Sequence, residues 1–124
     1  MNEKLININS NDKKYYLNIL KLEPNNYDAV LKLGLIDVNE NNFLSAKEKF
    51  KKLITLDKSK YEGYLNLSNI YCFQGKVLKA NNILKNFLNN VQEKIEIVNA
   101  LAINLLNIKK YSDLEILLNK YTDK

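Results

Sequence analysis

Residues 27–60 read YDAVLKLGLIDVNENNFLSAKEKFKKLITLDKSK, and the fold is decided there. Val30, Leu33 and Asp37 step by three and four, and Ala46, Phe50 and Leu53 repeat the step after a polar break at Glu40-Asn41-Asn42. Side chains spaced this way fall on one face of an α-helix. Two helices joined by a short turn are therefore expected. Asn41 suits the left-handed backbone position that ends many helices, because its short side chain tolerates positive φ better than most.

The same pattern recurs along the chain. At an offset of 34 residues, Tyr27 falls on Tyr61, Leu33 on Leu67 and Leu101, Gly34 on Ser68 and Ala102, and Ile36 on Ile70. Phe43 falls on Val77 and Tyr111, Ala46 on Ala80, Phe50 on Leu84 and Leu118, and Leu53 on Phe87 and Tyr121. Large residues match large and small match small without an insertion, which is the mark of a repeat architecture. The later turns are expected at Gln74-Gly75-Lys76 and Ile108-Lys109-Lys110. Lys109 is the least suited to positive φ, so the third turn is expected to be the loosest. Ser59-Lys60-Tyr61-Glu62 and Ser112-Asp113-Leu114-Glu115 match the capping box and predict helix starts. Pro24-Asn25-Asn26 separates an earlier helix, about Asn11 to Leu22, from the first full unit. The organisation predicted is all-α: one domain over 1–124, with a half repeat at 11–26 and repeats at 27–60, 61–94 and 95–124.

Composition narrows the function. The 124 residues contain no His, no Arg and no Trp, and Cys72 is the one cysteine. Imidazole acid–base chemistry, His or multi-Cys metal sites and disulfide frameworks all lack their residues. No catalysis and no cofactor are expected. The net charge of +5 is spread evenly, +3 over residues 1–60 and +2 over 61–124, so no basic pole marks a nucleic-acid interface. The first residues hold no long apolar run, and Ile97–Ile108 is too short to span a bilayer and is broken by three Asn. A cytoplasmic protein without membrane contact is expected, and a lone thiol agrees with a reducing compartment.

The 34-residue two-helix unit resembles the tetratricopeptide repeat. The resemblance rests on the small residues Gly34, Ser68 and Ala102 facing Ala46 and Ala80, on bulky Phe43 and Tyr111, and on the Leu-Glu-Pro-Asn-Asn stretch ending at Asn26. It covers Tyr27 to about Tyr121 as three repeats. Asp37 departs from it, standing where Tyr71 supplies the usual aromatic, and Lys58 and Gln92 replace the proline that Pro24 provides.

The resemblance implies an α-solenoid whose first helices line a concave groove for a partner peptide or helix. Carried over by register, the groove residues are Leu31, Lys32, Leu35 and Val38, then Leu65, Asn66, Asn69 and Phe73, then Asn99, Ile103 and Leu106. Asn side chains can donate and accept at once along a peptide backbone, and the apolar members can seat side chains. The relatives that clamp a C-terminal carboxylate use cations at positions occupied here by Leu31, Leu35, Asn66, Glu96 and Ala100, so such peptides are not expected to bind.

The function expected is a non-catalytic protein-interaction scaffold. Such repeats are also fused to glycosyl- or sulfotransferase domains, so the regulatory arm of a larger enzyme is the alternative, and RNA binding by a related helical repeat is a further one. The partner class is protein or peptide, with no specific nucleic acid. Self-association through the last helix is open, because Leu114, Leu117, Leu118 and Tyr121 form a stripe there while Ile116 points elsewhere. Lys47, Lys49, Lys51 and Lys52 read as a solvated face on which Glu48 pairs with Lys52.

Overall fold

A computed structural model of the chain describes residues 10–122, with side chains described from 12 to 121. Seven helices follow one another: α1 Ser10–Leu22, α2 Tyr27–Asn39, α3 Phe43–Leu56, α4 Glu62–Phe73, α5 Val77–Asn90, α6 Ile95–Asn107 and α7 Tyr111–Thr122. No strand occurs among the described residues. The regular structure among the described residues is all helical, as the periodicity predicts.

The 34-residue period is written into the turns. Asn41, Gly75 and Lys109, each 34 residues after the last, have φ of 63°, 79° and 62°. At each turn the following amide reaches back to the last helical turn: Asn42 N–H to Asp37 O (2.8 Å), Lys76 to Tyr71 (2.8 Å) and Lys110 to Leu105 (2.9 Å). The left-handed residue itself donates to Val38, Cys72 and Leu106 respectively. This pair of bonds satisfies carbonyls that the helix end leaves without partners. The third turn is thus closed by the same two bonds as the others, contrary to the looseness expected of Lys109. Lys109 holds positive φ despite its Cβ, and the two backbone bonds offset that conformational cost.

Helix starts follow the expected register less closely. α2 is capped by Asn26, whose side chain accepts from Ala29 N–H at 2.9 Å. α4 begins at Glu62, later than the Ser59 signature places it, and Tyr61 in the cap position makes no side-chain cap bond. The Ser59 carbonyl accepts from Gln92 Nε2 at 2.9 Å. Ser112 lies inside α7 rather than before it, and Leu114 N–H donates to Lys110 O.

The described residues fall into two compact units divided between Lys58 and Ser59. In the first, α2 packs on α1 and on α3. Ala29, Val30, Leu33, Ile36, Ala46, Phe50 and Leu53 are buried, each larger side chain contributing about 1.5–3 kcal/mol by leaving water. Gly34 brings α2 and α3 into close approach over the Phe50 ring. Asp37, 7% exposed, is neutralised across this hairpin by Lys49 Nζ at 2.7 Å and accepts from Ser45 Oγ at 2.7 Å. Lys52 Nζ donates to Pro24 O at 2.9 Å. The lysine run on α3 is therefore not a uniform solvated face, and Lys52 turns to the Pro24 carbonyl rather than to Glu48.

In the second unit α5 packs on α4, α6 on both α4 and α5, and α7 on α6. Its core holds Tyr64, Leu67, Ile70, Tyr71, Leu84, Phe87, Ile97, Val98, Leu101, Leu105 and Leu117. Tyr64 and Phe87 meet edge to face, with centroids 4.8 Å apart. Positions equivalent by register are buried alike: Ala46 with Ala80, Phe50 with Leu84, and Leu53 with Phe87 are all 0% exposed.

Candidate functional site

The residues expected to meet a partner divide between the units. On α2, Leu31, Lys32, Leu35 and Val38 are all half-buried. Lys32 pairs with Asp28 at 3.4 Å and lies over the Tyr16 ring of α1, 5.7 Å from its centroid. That charge is engaged within the first unit. The α2 face thus offers mainly aliphatic edges with little polar reach.

In the second unit, α4 and α6 pack side by side and carry the more open face. Phe73 is 74% exposed, Ile103 57% and Leu106 52%, and Asn69 and Asn99 are exposed beside them. Leu65 and Asn99 share one register position, and Asn69 and Ile103 share another, so these residues lie on corresponding faces of two neighbouring helices. Leu65 and Asn66 are half-buried. Asn66 is partly spent, since its Nδ2 donates to Glu62 O of its own helix at 2.9 Å. Its amide is less available than those of Asn69 and Asn99.

A polar link joins α5 and α6: Asn104 Nδ2 donates to Asn81 Oδ1 at 2.9 Å. Asn81 is only 3% exposed, so its amide carbonyl would be costly to leave bare. Burial pushes the Cys72 thiol above its ordinary range, outweighing the Asn104 amide that lowers it. A thiol held protonated is a poor nucleophile. Among the described residues no cluster of His, Cys, Asp and Glu could hold a metal ion, and no helix is long and apolar enough to cross a membrane.

The sequence reading missed some exposed apolar surface. Leu44 and Leu78 are 73% and 71% exposed, and they stand 34 residues apart at the second position of α3 and α5. Their shared register was a signal that the turn-proximal end of each second helix faces outward. No family model matches the chain, and no curated protein matches it either.

Proposed function

We propose that the chain is a non-catalytic interaction scaffold built of tetratricopeptide-like repeats in a solenoid, and that it holds an extended peptide or a partner helix along its first helices. The observation that supports this reading is the α4–α6 face of the second unit. Three large apolar side chains, Phe73, Ile103 and Leu106, stand more than half exposed next to the amides of Asn69 and Asn99. Clustered exposed apolar groups rimmed by polar ones mark interaction surfaces. In this reading the apolar trio buries a partner's side chains and the two amides bond its backbone. On α2, within the first unit, Leu31, Leu35 and Val38 offer half-buried aliphatic edges of their own.

The test is selection of binders from a displayed random peptide library against the purified chain. Selected peptides are expected to carry bulky apolar residues and to lose about tenfold or more in affinity to Phe73→Ser and Asn69→Ala. Leu44→Ser, equally exposed but off this face, should leave affinity unchanged. Binders that lose affinity to Leu44→Ser and keep it for Phe73→Ser would overturn the assignment.

A further inference from the structure

Three consecutive helices of the second unit, α5, α6 and α7, wall a cleft that shares no residue with the proposed peptide-binding face. It encloses about 220 Å³, with Leu101 and Leu105 of α6 as its floor and Leu88 of α5 and Ile116 of α7 on its two sides. Both floor residues belong to the buried core. The hollow against Leu17 and Asn18 of α1 and the one at the start of α3 are each formed along a single stretch of chain. Here packed helices make the apolar surface concave, which is the shape that encloses a small molecule.

The charges at the rim sort what can enter. Lys85 on α5 and Lys120 on α7 reach the cleft from opposite sides. Short turns reverse the chain before and after α6, so α5 and α7 run the same way past it. The α7 residue in register with Lys85 is Asn119, next to Lys120, which puts both cations at one end of the cleft. Among the described residues Lys85 makes no ion pair or hydrogen bond, and Lys120 lies over the Tyr121 ring, 5.3 Å from its centroid. Asp113 stands on the Lys120 wall two helical turns earlier, about 10 Å along the axis. An anionic head is therefore drawn to the lysine end and kept from the Asp113 end, while the leucines take an apolar tail. A volume of 220 Å³ holds roughly seven groups the size of a water molecule or a methylene, below what a drug-sized ligand needs. We propose that this cleft binds a small amphipathic carboxylate of medium chain length, its aliphatic tail on Leu101 and Leu105 and its carboxylate between Lys85 and Lys120.

Octanoate, whose tail matches that volume, is the probe, and two-dimensional NMR of the full chain is the readout. Its addition is expected to shift the amide signals of Lys85, Leu88 and Ile116 with saturation, at a Kd of about 1 mM or below, and to leave those of Asn69 and Asn99 in place. From hexanoate to octanoate each added methylene should tighten binding about fourfold, and dodecanoate should gain nothing further because the cleft is full. Lys85→Gln with Lys120→Gln should weaken octanoate about tenfold. Lys14→Gln with Lys51→Gln removes the same charge from the first unit and should change nothing. Asp113→Asn should tighten binding about twofold. Ile116→Glu, at a position 66% exposed, should abolish binding while circular dichroism shows intact helices. No saturable shift, affinity that keeps climbing past octanoate as adsorption to an open surface would give, or equal effects of the two lysine pairs would each overturn the proposal.

Discussion

A β-carbon placed on Gly34 would lie 2.6 Å from Cε1 of Phe50. Real side chains do not approach this closely, and Phe50 is 0% exposed, a core ring whose displacement disturbs its neighbours. The repeat resolves the same geometry elsewhere by trading sizes. Ser68 stands at the Gly34 position with Leu84 at the Phe50 position, and Ala102 with Leu118. Gly34→Ala is therefore expected to destabilise the chain by about 1–3 kcal/mol, despite the roughly 1 kcal/mol that Ala gains over Gly in a helix. Gly34→Ala combined with Phe50→Leu should recover much of that loss. Urea unfolding of the two single variants and the double variant measures the coupling; additive losses would contradict it.

Lys109 holds φ of 62° with a full side chain. Replacing it by Gly should stabilise the chain by about 0.5–1 kcal/mol, because the left-handed conformation costs Gly almost nothing. Gly75→Ala should destabilise by about 1 kcal/mol although no atom lies within 4 Å of the added carbon, since φ there is 79°. Thermal unfolding of both variants is the check, and opposite signs are the expected outcome.

Asp37, Ser45 and Lys49 form a polar contact across the α2–α3 hairpin, with Asp37 nearly buried. Removing Lys49 leaves a desolvated carboxylate with Ser45 as its remaining hydroxyl donor. Lys49→Ala is expected to cost about 1–3 kcal/mol, below the figure for a fully buried pair because Lys49 keeps partial contact with water. Lys51→Ala on the exposed side of the same helix should stay within about 0.5 kcal/mol of the wild type. Equal effects at the two lysines, read from denaturant midpoints, would remove the special role given to Asp37.

Burial pushes the Tyr64 phenol above its ordinary value of 10.0. The folded chain thus holds this proton more tightly than the unfolded chain does. Stability is unaffected below about pH 10, where both states are protonated, and falls as pH rises above it because unfolding then releases the proton. Tyr64→Phe should flatten this alkaline decline while keeping the edge-to-face contact with Phe87. Chemical unfolding at a series of alkaline pH values tests it, and an unchanged slope in the variant would assign the decline to other groups.

Much of this architecture is legible in the amino-acid order. The three left-handed turn positions, the buried stripes of α3 and α5 and the helix count all follow from the 34-residue spacing, because burial and turn chemistry act locally and periodically. The missed features are those decided by tertiary competition. Ser59 carries a capping signature, yet α4 starts at Glu62, and the bond from Gln92 Nε2 to the Ser59 carbonyl, 33 residues away in sequence, could not be read beforehand. Lys49 sits among lysines that look alike in sequence, and only the folded hairpin brings it to Asp37. The bond of Asn66 to the Glu62 carbonyl was not readable, since an amide chooses between partner and own backbone only once the helix exists.

The proposed docking of a polypeptide on the α4–α6 face is read out by two-dimensional NMR of the side-chain amides, recorded while a library-selected peptide is added. The Asn69 and Asn99 amide signals are expected to shift with saturation, together with amides near Phe73 and Ile103, while those of Asn89 and Asn90 on α5 stay in place. Shifts confined to α5, or none at saturating peptide, would contradict it.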